Sequence, residues 1–85
     1  MSFTVSLSDR AEKGLRRIPA ADLRRIERAI EAMETDPLSG DVVKLRGTEA
    51  FRRRVGDYRI LLGIDFKRFI VGIIDIQRRT TTTYR

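Results

Sequence analysis

The sequence predicts an α+β domain: a small antiparallel sheet of four to five strands with two N-terminal helices packed on one face, in the order β-α-α-β-β-β. Three observations predict it. Apolar residues recur at helical spacing only before Gly40, strand-like runs separated by turn residues fill the chain after it, and a short alternating segment precedes the helices. Eighty-five residues make one domain, 1–85, with room for one core and one site, because about 60–65% of the unfolded surface can be buried at this length.

Phe3, Val5 and Leu7 alternate with Ser2, Thr4 and Ser6, the period of a half-buried strand. Ser8 or Asp9 then caps a short helix whose apolar stripe is Leu7, Ala11, Leu15 and Ile18, and Pro19 ends it. A second helix runs from about 20 to 35, with Leu23, Ile26, Ile30 and Met33 on one stripe and Asp22 near its positive end. The two helices do not read as a DNA-binding pair, since nearly all their inward positions are needed for the core. "TDPLSG" closes the helical half. "VVKLR" reads as a strand, "GTEA" as a connection, "FRRRV" as a strand, "GD" as a two-residue turn and "YRILLGID" as the returning strand. "FKR" turns the chain again, and "FIVGIIDI", apolar on both faces, suits a strand inside the sheet. The tail "QRRTTTTYR" is polar, and its threonine run reads as strand or loop.

Composition narrows the chemistry. The chain has no cysteine and no histidine, so it lacks a disulfide framework, a thiolate metal site and the commonest general base. No GxGxxG or P-loop pattern supports nucleotide hydrolysis. The first residues alternate and give no apolar run of the kind a signal peptide or membrane span needs, which points to a soluble, cytoplasmic protein with no membrane partner. Eighteen Lys+Arg against twelve Asp+Glu leave a formal charge of +6, which favours a polyanion or an acidic protein as partner. The excess lies in the C-terminal part and is mostly arginine, whose rigid fork matches phosphate oxygens.

In a strand, Phe51, Arg53 and Val55 point one way and Arg52 and Arg54 the other. The apolar pair takes the core side. Arg52 and Arg54 therefore project from the face away from the helices, and Arg53 becomes a rim residue with its stem along the apolar layer. Beyond the turn, Tyr58, Ile60, Leu62 and Ile64 share the core face, which leaves Arg59 beside Arg54 and Arg52. Charged exposed strands often serve only solubility. A solubilising face would mix signs, however, and a cluster of one sign implies an absent anion. Lys44 and Arg46 flank Leu45 and extend the basic surface. Asp57, Asp65 and Asp75 fit turn bonding or ion pairs better than a metal, and Tyr58 fits the core with its hydroxyl bonded.

The stretch "KLRGTEAFRRRVGDYRILLGID" resembles the RelE/ParE toxin superfamily of toxin–antitoxin systems: a Lys-Leu-Arg-Gly step, a basic strand, then Gly-x-Tyr-Arg opening the next strand. The tail "IDIQRRTTTTYR" is similar to the family's terminal strand, with a basic pair followed by a tyrosine, so the resemblance spans essentially the whole chain. It implies a RelE-like toxin whose RelE branch cleaves mRNA in the ribosomal A site, with no cofactor and no metal. By position, Arg52 and Arg54 match the paired cations of the basic strand, Arg59 the arginine after the tyrosine, Arg79 that of the terminal strand and Tyr84 the C-terminal tyrosine. Arg78 stands where many relatives have histidine, and the spacing from it to Tyr84 is one residue longer than theirs. On this resemblance Arg52, Arg54, Arg59, Arg79 and Tyr84 are the catalytic set, and Lys44, Arg46, Arg53, Arg78 and Arg85 bind RNA. The implied partners are a RelB-like antitoxin, mRNA and the ribosome. Two other readings stay open: a ParE-like inhibitor of DNA gyrase that cleaves nothing, and an inactive relative that binds antitoxin or RNA.

Overall fold

A computed structural model describes residues 2–78. The elements follow the expected order: β1 (Thr4–Leu7), α1 (Asp9–Arg16), α2 (Ala20–Thr35), β2 (Asp41–Lys44), β3 (Ala50–Val55), β4 (Tyr58–Asp65) and β5 (Ile70–Arg78). The five strands form one sheet in the order β1-β5-β4-β3-β2. All pairings are antiparallel except β1 with β5, so the sheet is mixed. That parallel pair needs a long crossover, which the helices and the other three strands supply.

Local chemistry sets most boundaries. Ser8 is the N-cap of α1: its hydroxyl accepts a hydrogen bond from Ala11 N at 3.1 Å and donates one to Ile74 O at 2.6 Å, while its backbone N–H donates to Ile73 O at 2.9 Å. One residue thus joins β1, α1 and β5. Helix α1 ends at Arg16, with Arg17 as its C-cap, and Pro19 serves α2 as N-cap without a side-chain bond. Gly56 takes φ +57, the left-handed value that a tight two-residue hairpin requires at its first turn position. The last strand begins at Ile70 rather than Phe69, because Phe69 adopts φ +58 and belongs to the turn. It also runs on to Arg78, two residues beyond the apolar segment.

The core lies between the helices and one sheet face. Ala11 from α1 and Ile26, Ala29 and Met33 from α2 meet Tyr58, Ile60, Leu62, Val71, Ile73 and Ile76. The helical stripe and the strand alternation therefore face each other, as the sequence pattern requires. Helix α1 approaches β5 so closely at Gly14 that a Cβ there would lie 2.8 Å from Ile76 O. In β5 the register skips Ile74: Leu62 pairs with Ile73 and Leu61 with Asp75. This bulge resets the alternation, so that Ile73 and Ile76 both reach the core.

Candidate nucleic-acid interface

The sheet register places the arginines. Arg54 lies directly opposite Arg59, and Arg52 opposite Leu61, while Arg53 pairs with Ile60 and Phe51 with Leu62. Cross-strand partners project from the same face. Ile60 and Leu62 are buried in the core, so Arg52, Arg54 and Arg59 share the face turned away from the helices, as alternation predicts. On β5, Gln77 is the partner of Arg59 and Asp75 that of Leu61, which brings an amide and a carboxylate to the same face.

The patch is not of a single sign. On β2, Asp41 is the register partner of Arg54, and its carboxylate lies 3.9 Å from Arg54 Nε with both side chains substantially exposed. Asp75 is buried: its Oδ1 accepts from Ile76 N at 2.9 Å and its Oδ2 from Gln77 Nε2 at 2.9 Å. Gln77 is therefore held in place next to Arg59. Neither Asp41 nor Gln77 is visible as a site residue until the register is known.

Other expected cations lie elsewhere. Arg53 is the partner of Val42 and Ile60 on the helix-side face, half-buried, and its guanidinium packs against Gly40, where a Cβ would lie 2.5 Å from Cζ. Its Nε and Nη1 are sealed from solvent without a hydrogen-bond partner. The expected rim position is thus an inward one, away from the arginine patch. Lys44 is the partner of Phe51, which turns it to the same helix-side face, and its Nζ lies 3.8 Å from Glu49. Arg46 is not in a strand: β2 stops at Lys44, and Arg46 occupies a loop closed by Thr48 N and Thr48 Oγ1 donating to Leu45 O. Arg78 pairs with Tyr58 rather than Arg59, so it too points away from the patch. Arg79, Tyr84 and Arg85 lie outside the described residues.

Asp65 Oδ1 accepts from Lys67 N and Arg68 N, both at 3.0 Å, a turn role. Asp75 makes no ion pair with Arg78 among the described residues; its bonds stay within its own strand. Tyr58 is buried as expected, but its hydroxyl has no hydrogen bond among the described residues. It borders a cleft of about 830 Å³ between α1 and the end of β5.

The fold matches known proteins. The family model described as ParE toxin of type II toxin-antitoxin system, parDE, matches residues 5–82. A protein of Methanocaldococcus jannaschii named "Putative toxin RelE1" is 30% identical over 83 residues, covering 93% of this chain and 92% of its own. Among solved structures, the archaeal RelE-RelB complex from Pyrococcus horikoshii OT3 matches with a TM-score of 0.85 at 28% identity, over 96% of this chain and 100% of that one. The toxin-antitoxin complex RelBE2 from Mycobacterium tuberculosis gives 0.83 at 26% identity, over 93% and 100%. The chain belongs to the RelE/ParE superfamily of toxins of type II toxin–antitoxin systems, and its fold is RelE-like.

Proposed function

We propose that the protein is a ribosome-dependent mRNA endonuclease, the toxin of a pair whose antitoxin is RelB-like. The observation that carries this reading is the direct opposition of Arg54 and Arg59, with Arg52 beside them, on the sheet face turned from the helices. Three guanidinium groups so placed repel one another and gain from an anion held between them. The RelE label of the relatives agrees with this chemistry.

RNA carries its own nucleophile. The 2′-oxygen attacks the adjacent phosphorus, the P–O5′ bond breaks, and the products are a 2′,3′-cyclic phosphate and a 5′-hydroxyl. The proton leaves the 2′-OH and one is delivered to the 5′-oxygen. The protein must align these atoms and stabilise the added charge on the phosphoryl oxygens. In this reading Arg59 and Arg79 bind the scissile phosphate, while Arg52 and Arg54 hold the backbone and favour the 2′-oxyanion. Tyr84 stacks on a base, as aromatic side chains do on single-stranded RNA. Without histidine the chain is a slow nuclease on free RNA, and the ribosomal A site supplies orientation in the cytoplasm.

A RelB-like antitoxin is supported by the neighbours, which are RelE-RelB complexes. An acidic or amphipathic segment laid over the arginine patch would block it. One observation favours a second reading: the matching family model carries the ParE name. A ParE-like toxin would inhibit DNA gyrase by contact and cut nothing. Primer extension on cellular transcripts after induction tests both. Cuts inside translated codons support the nuclease; intact transcripts with DNA damage support gyrase inhibition and end the nuclease reading.

A further inference from the structure

The cleft between α1 and the end of β5 has its own charge. Its lining includes Arg10 and Lys13 from α1, the C-cap Arg17, Gln77 and Arg78 from β5, and the buried Tyr58 between them, with Asp9 and Asp75 as the acids. Arg10, Lys13 and Arg17 follow one another at three and four residues, so they form a single stripe along about 10 Å of helix. None of the four cations belongs to an ion pair among the described residues. Residues 79–85, which follow Arg78, contain no acidic side chain that would neutralise them. The cleft cations lie on the helix side of the sheet, where Arg78 and Tyr58 are register partners, whereas Arg52, Arg54 and Arg59 face the other way; Asp75 and Gln77, at the end of β5, border the cleft as well.

The walls also say what kind of partner fits. Protein-binding surfaces are built around apolar and aromatic anchors, whereas nucleic-acid surfaces are polar and strongly positive. The exposed large apolar side chains, Leu38, Val43, Phe66, Ile70 and Ile74, all lie outside the cleft. Ile18 and Ile76, its apolar lining, are buried in the core. What remains exposed is the four cations with Asp9, Pro19 and Gln77, and behind them the buried Tyr58 has a hydroxyl without a hydrogen-bond partner among the described residues.

We infer that this cleft is a second RNA-contacting surface, which grips the phosphodiester backbone of a structured RNA while the arginine patch holds the strand to be cut. The inference rests on the RNA reading of the function. It gives a physical basis for dependence on the ribosome: the patch alone captures a strand, and the cleft fixes the protein against a folded RNA beside it.

The test compares wild type, the triple variant Arg10→Ala/Lys13→Ala/Arg17→Ala and Arg59→Ala in equilibrium binding to purified ribosomes across a salt series, with thermal melting as a control for folding. Loss of phosphate contacts lowers the slope of log affinity against log salt by about one per contact, so the triple variant should lose about two to three units of slope and roughly tenfold or more in affinity at low salt. Arg59→Ala, by contrast, should lose at most about one unit of slope and fail to cut. A folded triple variant with wild-type affinity and slope overturns the cleft proposal and leaves the nuclease reading standing. A wild-type protein that binds no ribosomes overturns both. A triple variant that keeps ribosome binding but loses a purified acidic antitoxin shows a protein-docking cleft, and also ends the proposal.

Discussion

Arg54 and Arg59 are paired residue for residue across the β3–β4 hairpin, on the sheet face opposite the helices. Like charges in directly opposed positions destabilise a sheet by a few tenths of a kcal/mol to about 1 kcal/mol. On the proposed function, an anion held between them accounts for their joint presence, which stability does not. Replacing Arg59 with alanine should therefore leave the melting temperature unchanged or slightly raised. The same change should lower cleavage by about 10²–10³, the usual cost of losing one donor to a developing oxyanion. Arg79→Ala should do the same to cleavage. Primer extension together with thermal melting checks both halves, and full toxicity in both variants would refute the assignment.

Asp41 tempers the patch. Its pair with Arg54 is exposed, at 3.9 Å, and such pairs contribute about 0–1 kcal/mol. Asp41→Asn should change stability by less than about 0.5 kcal/mol, since a surface substitution away from caps and core rarely does more. It should nevertheless strengthen RNA binding and steepen its salt dependence, because Arg54 is released and one local negative charge is removed. Fluorescence anisotropy with a short single-stranded RNA over a salt series measures this. Weaker binding by Asp41→Asn would mean that the carboxylate orients Arg54 for its ligand.

The order of the elements, the two-residue turn and the face of Arg52, Arg54 and Arg59 were legible because each depends on local periodicity. What escaped depends on register or on distant approach. Arg78 falls beside Tyr58 only because the β5 bulge at Ile74 shifts the alternation, and no residue type announces that bulge. The side of the sheet that Arg53 takes follows from alternation, but the burial of its guanidinium depends on Gly40, which leaves room for it. The stripe of Arg10, Lys13 and Arg17 was readable as a helical face, yet its meaning as a cleft wall requires knowing that the end of β5 lies opposite. The parallel β1–β5 pair is likewise invisible to a pattern of alternation, which is the same for either direction.

Gly14 tests how tightly α1 is seated. In an exposed helix, replacing glycine with alanine stabilises by about 1 kcal/mol. Here the added methyl would meet the backbone carbonyl of Ile76 at 2.8 Å, and backbone cannot swing aside. Gly14→Ala should therefore destabilise on balance, by about 1–3 kcal/mol, as overpacking does. At about 4–8 °C per kcal/mol for a domain of this size, the fall in melting temperature is easily read. A rise instead would show that α1 sits further from β5.

Ser8 should be costly to lose, because one hydroxyl serves two elements. It accepts from Ala11 N as the cap of α1 and donates to Ile74 O at the bulge. Capping serines contribute about 0.5–2 kcal/mol, and Ser8→Ala should fall in the upper half of that range. Ser8→Gly, which keeps the backbone but not the hydroxyl, should lose a similar amount here, although at an ordinary cap it costs only a few tenths. Melting curves of the two variants decide it: a much milder glycine variant would mean that the bond to Ile74 contributes little.

Arg53 separates structure from function within the run of three arginines. Its Nε and Nη1 are shielded from solvent and have no hydrogen-bond partner, and an unsatisfied buried donor costs about 1–3 kcal/mol. Methionine keeps much of the stem's length and volume and removes those donors. Arg53→Met should therefore raise stability by about 1 kcal/mol or leave it unchanged, as exchanges of buried charge for well-packed apolar groups often do. Because the side chain points to the helix side, away from Arg52 and Arg54, cleavage and RNA affinity should remain within about twofold of wild type, whereas Arg52→Met or Arg54→Met should weaken both. Melting temperature and single-turnover cleavage on programmed ribosomes check the prediction. A stable Arg53→Met protein with lost cleavage would return Arg53 to the RNA-binding set and require its guanidinium to leave the pocket beside Gly40 when RNA binds.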